Sequence, residues 1–432
     1  MRHPTARRIF LLGLALVTVT AGAAAAATAG VQSPVMLEFW YETGAEATRV
    51  AMAEIVQAFE GENPDVKVNV SYLGNVNTWN DQFIASIAGG NPPDVAWGGC
   101  GGVHEYRAAG LVEPLNDHLA DLDPAAVAMD AWIGAAVDEC AYQGLWYALP
   151  FRTDIRGLFT NVNLFEEAGI PGTQGPRTID DLDLMAQKLT RFNAEGEAVQ
   201  LGFSPNGVNL PEVFWFHAFG GSFFDWERMR VRVTGNPANL EALEWWVSYA
   251  DLYGQSARAS RPRFYDESLA MYIASSGEYG RFVEDAPDVE FWTHPLPYQP
   301  GGRNPNMSAV SGPVLPVGAP HQAEAVRFLA YLARPEVQLR YFEITKDLPT
   351  RMEALRQTMQ FVDDSRYVTI INQWGETSGR IPLWRTFLNA SGVGLRAAWL
   401  PQLWSKELSP AAMLELFERQ VNVEFEKVFP LE

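Results

Sequence analysis

The sequence is poor in cysteine, histidine and lysine. Its 432 residues include two cysteines and six histidines, too few for a zinc ribbon, a disulfide-scaffold domain or a haem-attachment motif. No two histidines lie within five residues of each other, which excludes a His-Glu-x-x-His metal site. Neither the Gly-x-x-x-x-Gly-Lys-Ser/Thr loop of an ATPase nor a Gly-x-Ser-x-Gly nucleophile elbow occurs. Basic residues are also scarce, with 32 Lys and Arg against 52 Asp and Glu for a formal charge of −20. Phosphate backbones need a positive field, so no nucleic acid is expected as a partner.

What is present points to packed cores. The chain is 47% hydrophobic and 12% aromatic, with fourteen Trp, which rules out a disordered protein. At roughly 100–200 residues per domain, the length predicts two or three domains.

Residues 1–30 read as a targeting segment. Arg2, His3, Arg7 and Arg8 precede an apolar run from Ile9 to Val19, and small residues follow to Ala29. This is the pattern of a cleavable secretory signal, with cleavage after Ala27 or Ala29. Arg7-Arg8 before Ile9-Phe10-Leu11-Leu12 also fits a twin-arginine signal. The uncharged stretch is long enough to be read as a membrane anchor, but its second half is Ala-rich and weakly apolar. Loss of Arg2, Arg7 and Arg8 with no acid takes the charge from −20 to −23.

The mature chain alternates strand and helix. Met36 to Trp40 reads as a strand, and Met52, Ile55, Val56 and Phe59 form one helical stripe. Val66, Val68 and Val70 alternate as a strand, a helix follows over about 77–88, and Asp94 to Trp97 is a third strand. This succession predicts an α/β sheet with parallel crossovers. Further along, Arg156 to Thr160 reads as a strand and 161–168 as a short helix. Thr178 with Asp181 makes a capping box ahead of Leu182, Met185, Ala186 and Leu189. Asn236-Pro237 starts another helix, and Ala323 to Ala333 a further one stopped by Pro335. No internal repeat or low-complexity linker separates these elements.

Several segments, in order, resemble the extracellular solute-binding proteins of sugar ABC transporters, the broad family that includes maltose-binding protein. They include Phe59-Glu60-Gly61-Glu62-Asn63-Pro64-Asp65-Val66, Ala88-Gly89-Gly90-Asn91-Pro92-Pro93-Asp94-Val95 and Gly110-Leu111-Val112-Glu113-Pro114-Leu115. Gly144 to Pro150, Asn161 to Gly169, Ala325 to Leu329 and Leu348-Pro349-Thr350-Arg351 continue the series. The resemblance spans roughly 34–420 and implies an α/β fold of periplasmic-binding-protein type, two lobes joined by a multi-crossover hinge. Lobe one would hold 31–146 and 297–346, and lobe two 147–296 and 347–432. It further implies an exported, monomeric, cofactor-free receptor. Such a receptor closes on a carbohydrate in the inter-lobe cleft and presents it to a membrane permease. One departure is Trp97-Gly98-Gly99-Cys100-Gly101-Gly102, where family members often carry polar side chains.

A sugar needs flat apolar surfaces for its C–H faces and planar polar groups for its hydroxyls. Trp40, Tyr41 and Glu42 end the first strand at its C-terminal edge, where α/β sheets bind ligands. Trp97 and Gly98 end another, beside a Gly-rich loop whose backbone N–H groups could donate; Trp40 reads alternatively as core, and the glycines as no more than tight turns. Arg152, Asp154 and Arg156 alternate on one side of an extended segment, either to hold hydroxyls or to form an ion-pair network. The resemblance adds Trp215, Glu278 with Tyr279 in place of a stacking Trp, Ser311, Gly312, Arg351 and Trp384. His217, Trp245, Trp246, Trp399 and Trp404 read as packing. Cys100 and Cys140 are either disulfide-bonded, as an oxidising compartment permits, or buried thiols. The competing readings are an exported glycoside hydrolase and a receptor for another solute, either a polyol or a phosphate ester held by Arg152, Arg156 and Arg351. Glu42, Asp154 and Glu278 would have to supply the two carboxylates of a hydrolase, about 5–9 Å apart.

Overall fold

The computed structural model describes residues 33–428 except 42–45, 75, 208–210, 226, 229, 255–259, 363 and 378–394. The expected signal segment, Glu42 and Trp384 lie outside the described residues. Among the described residues, nine strands build the two main sheets. They are β1 (Val35–Tyr41), β2 (Val66–Tyr72), β3 (Val95–Gly99), β4 (Arg152–Thr153) and β5 (Arg156–Asn161). After them come β6 (Met271–Ser275), β7 (Phe291–His294), β8 (Ser311–Val314) and β9 (Leu348–Pro349).

The first sheet has six strands in the order β9-β4-β8-β3-β1-β2. β1 pairs in parallel with β2, from Val35 opposite Val66 to Tyr41 opposite Tyr72, and with β3 at Phe39 opposite Val95. The expected crossovers are therefore present, and β8 then returns antiparallel to β3. Between β1 and β2, helix α1 (Glu46–Glu62) buries Met52, Ile55, Val56 and Phe59, the stripe read from spacing. α2 (Val76–Ala88) bridges β2 and β3.

The second sheet, β6-β5-β7, is antiparallel throughout. Its neighbours include α3 (Ile179–Leu189), where Thr178 and Asp181 exchange both capping-box bonds at 3.1 Å. α4 (Pro211–Ala218) and α5 (Pro237–Tyr253) form its aromatic core, α5 starting at the Asn236 cap as expected. α6 (Ser276–Asp285) follows β6 directly. Back on the first sheet, α7 (Gln322–Leu332) sets Phe328 against Phe59 at 4.9 Å. Pro335 ends that helix and also opens α8 (Pro335–Thr345), where its missing N–H costs nothing.

The result is two α/β lobes, each built on one sheet. The chain leaves the first sheet at Asp154-Ile155, where Ile155 and Ser276 bond to each other. It returns between β7 and β8. β4 and β9, in segments expected to belong to lobe two, pair with each other at Leu348 opposite Thr153 and join the first sheet through Arg152 opposite Ser311. Cys100, just after β3, is disulfide-bonded to Cys140 with the Cα atoms 5.0 Å apart. Closing a loop of 40 residues in the unfolded chain stabilises the fold by about 4 kcal/mol.

Candidate ligand-binding site

A cavity of about 580 Å³ opens where the two sheets meet. Its walls come from the start of α1, from Arg152 and Asp154, from Ser275 and α6, and from the end of α8 through Asp347. Two expected residues from the crossover (Arg152, Asp154) and two from α6 (Glu278, Tyr279) thus line one space. The extended row anticipated at 152–156 is broken. Arg152 pairs within the first sheet, whereas Arg156 begins the second and is buried. Its guanidinium donates to the Met307 carbonyl and lies 3.8 Å from Asp154 Oδ2.

The polar groups of this wall are interlocked. Arg152 Nη1 is 3.2 Å from Asp347 Oδ2, with both side chains less than a fifth exposed. Burial pushes the Asp347 carboxyl up from its ordinary pKa, Arg152 pulls it down, and the nearby Asp154 charge raises it again. Arg281 reaches Glu278 at 2.7 Å. Asp154 Oδ1 is buried and has no hydrogen-bond partner among the described residues. A buried carboxylate oxygen left in this state is costly, and a ligand hydroxyl would satisfy it.

Tyr279 sits at the cavity edge but is only 9% exposed. Its hydroxyl donates to Asp364 and its ring packs on Tyr367 at 4.8 Å and Phe291 at 5.9 Å. Burial raises the phenol pKa, and the bond to Asp364 adds to this. Asp364 is held down to about 2, chiefly by its hydrogen bonds from Arg366. Little of the ring is therefore open to the cavity.

Among the described residues, the other aromatic candidates do not line the cavity. Tyr41 and Trp97 are fully buried and pack on each other at 4.5 Å, with Phe151 4.8 Å from Trp97. Tyr41 Oη is 3.1 Å from Tyr341 Oη. Trp40 is half-buried on the opposite face of β1. Trp215 is buried in the second core, where its Nε1 donates to the Pro205 carbonyl and Trp245 packs on it at 4.6 Å. Gly98 is paired with Gly312, and Ser311 with Gly99 and Arg152, so their backbone groups serve the sheet. A Cβ at Gly312 would collide with the Leu149 carbonyl oxygen, so that glycine allows the 149–151 segment to run close alongside. Arg351 is buried with its guanidinium over Trp132 at 4.8 Å and donating to the Ala125 carbonyl at 2.7 Å.

Sequence reasoning missed Asp347, Gly277 and Lys346. An acid directly before a short strand whose neighbour carries Arg152 was the available signal, visible only once Pro349 is known to lie opposite Arg152. No group of three or more His, Cys, Asp or Glu able to hold a metal ion occurs among the described residues.

Known proteins share this architecture. The solved structure of CpMnBP1 with mannotriose bound has a TM-score of 0.76 at 24% identity, covering 90% of this chain and all of that one. UgpB from Mycobacterium tuberculosis in complex with glycerophosphocholine gives 0.75 at 20% identity, covering 91% and 99%. In sequence, the sn-glycerol-3-phosphate-binding periplasmic protein of Escherichia coli is 25% identical over 348 residues, 77% of this chain and 78% of the relative. The sequence pattern of the bacterial extracellular solute-binding protein family matches residues 44–339, and the chain belongs to that family.

Proposed function

We propose that this protein is a non-catalytic, extracytoplasmic receptor that binds a sugar or oligosaccharide between its lobes and delivers it to an ABC transporter permease. The cavity between the sheets carries the reading. Its volume suits a small solute, and its wall offers carboxylates and guanidinium groups, the acceptors and donors that sugar hydroxyls need. Asp154 is the principal hydroxyl acceptor, with Arg152 and Glu278 beside it and Tyr279 flanking a sugar ring. Residues 31–146 and 297–346 make up one lobe and 147–296 and 347–432 the other, apart from the short strands that β4 and β9 lend to the first sheet. Ligand contacts from both lobes favour the closed form, because only differential affinity shifts such an equilibrium. Mannotriose in the CpMnBP1 structure supports the carbohydrate class by likeness of fold.

The test is a thermal melt of the exported protein with a panel of neutral oligosaccharides, assayed in parallel for cleavage. Ligand at a thousand times its Kd stabilises by about 4 kcal/mol, so a matching sugar raises Tm without giving product. A cleaved sugar would make the protein a hydrolase, and no shift with any saccharide would refute the carbohydrate class.

A further inference from the structure

We infer that Asp347 makes the cleft reject phosphate esters by filling, with its own carboxylate, the anion position that Arg152 and the start of α6 would otherwise offer. The inference rests on the carbohydrate reading above. Relatives of this fold include proteins named for sn-glycerol 3-phosphate and for sugars, so a few side chains must decide between the two classes.

Three observations converge on Asp347. Its Oδ2 lies 3.2 Å from Arg152 Nη1. A Cβ built on Gly277 would come 2.8 Å from its Oδ1, so the carboxylate rests against the first turn of α6. Helix N-termini carry partial positive charge, and the α6 cap residue, Ser275, makes no side-chain capping bond. Gly277 is what allows the approach, since any side chain there would press on Asp347.

The remaining cations of the wall are engaged as well. Arg281 is 2.7 Å from Glu278, and Lys346 Nζ donates to the Glu343 carbonyl at 3.0 Å. Asp154 adds a further carboxylate to the same wall. A phosphate dianion entering here would meet like charge at contact distance, which disfavours it. The hydroxyls of a neutral solute would instead donate to the same oxygens. Discrimination of this kind comes from repulsion of the wrong ligand as much as from attraction of the right one.

Calorimetric titration of the full-length exported chain with mannotriose, maltotriose, sn-glycerol 3-phosphate and inorganic phosphate tests the inference. The wild type should bind an oligosaccharide, with neither phosphate compound binding or competing at millimolar concentration. Asp347→Asn should bind sn-glycerol 3-phosphate at least tenfold more tightly than the wild type, an affinity that falls as salt rises. Asp347→Ser serves the same purpose should the amide variant fail to fold, with melting curves reporting folding for both. Oligosaccharide binding by the wild type with no gain of phosphate affinity in either folded variant overturns this inference alone. Phosphate-ester binding by the wild type alongside sugar also overturns it. A wild type that takes phosphate esters and no sugar overturns the carbohydrate reading too, and one that binds neither class overturns that reading as well.

Discussion

The two cores and the cleft wall between them draw on different residues, although the sequence suggested that they would share. Aromatic side chains fill the cores: Phe39, Tyr41, Trp97 and Phe151 under the first sheet, and Phe203, Trp215, Trp245 and Tyr249 behind the second. Charged side chains line the wall, with Arg152, Asp154, Glu278, Arg281 and Asp347 around one cavity. Each class is stabilised where the other would be costly. A ring gains by leaving water, whereas a charge must keep its partners when partly buried. Among the described residues, the rings serve packing, and the cavity wall is made mainly of ion-paired side chains.

That division is best broken by substitutions that should separate stability from binding. Trp97→Ala removes a fully buried ring that touches Phe39, Tyr41 and Phe151. It should lower stability by about 3–5 kcal/mol, as urea melts would measure. If the folded fraction also lost its sugar affinity while stability stayed near wild type, Trp97 would belong to the site instead.

A smaller effect per residue should come from acid. His104, His217 and His294 are buried, and burial lowers their pKa values to about 4, 3 and 4. Because these values lie below the 6.5 of an exposed histidine, the unfolded chain binds more protons as pH falls. Stability is complete above about pH 6.5 and is lost as pH drops toward 4, on the order of 1–2 kcal/mol per histidine by pH 5. Two of the three lie in the second lobe, so His294→Asn should flatten the profile more than a surface change would. Urea melts at pH 7 and pH 5 give the answer, and equal stability at both would contradict it. Loss of the Thr160 contact at 3.1 Å accompanies the change, so the pH slope, and not the absolute stability, is the readout.

Much of the fold was legible because periodicity reports which face of an element is buried. The α1 stripe, the Thr178 capping box and the Asn236 cap all stand where the spacing put them. The aromatic candidates were harder to place. β3 is covered on both faces, and a strand of that kind has no polar alternation to say whether Trp97 faces a core or a ligand. Trp215 poses a related difficulty, because the apolar residues of α4 run almost all round the helix. The 152–156 row failed for another reason, since alternation holds only within one strand and the chain changes sheets at Asp154-Ile155. Arg152 and Asp154 were legible from alternation beside the hinge, and Glu278 and Tyr279 from the family resemblance. Asp347 was not, because its partner is 195 positions away and no local pattern links them.

The most direct measurement compares Asp154→Asn with the wild type, titrated with the neutral oligosaccharide that gives the largest melting shift. This substitution keeps the shape and removes the charge of the buried, unpartnered oxygen. An affinity at least tenfold weaker, about 1.4 kcal/mol, with the unliganded melting temperature within a few degrees of wild type, is the predicted result. Unchanged affinity in that variant would mean that the sugar binds somewhere other than the wall formed by Arg152, Asp154 and α6.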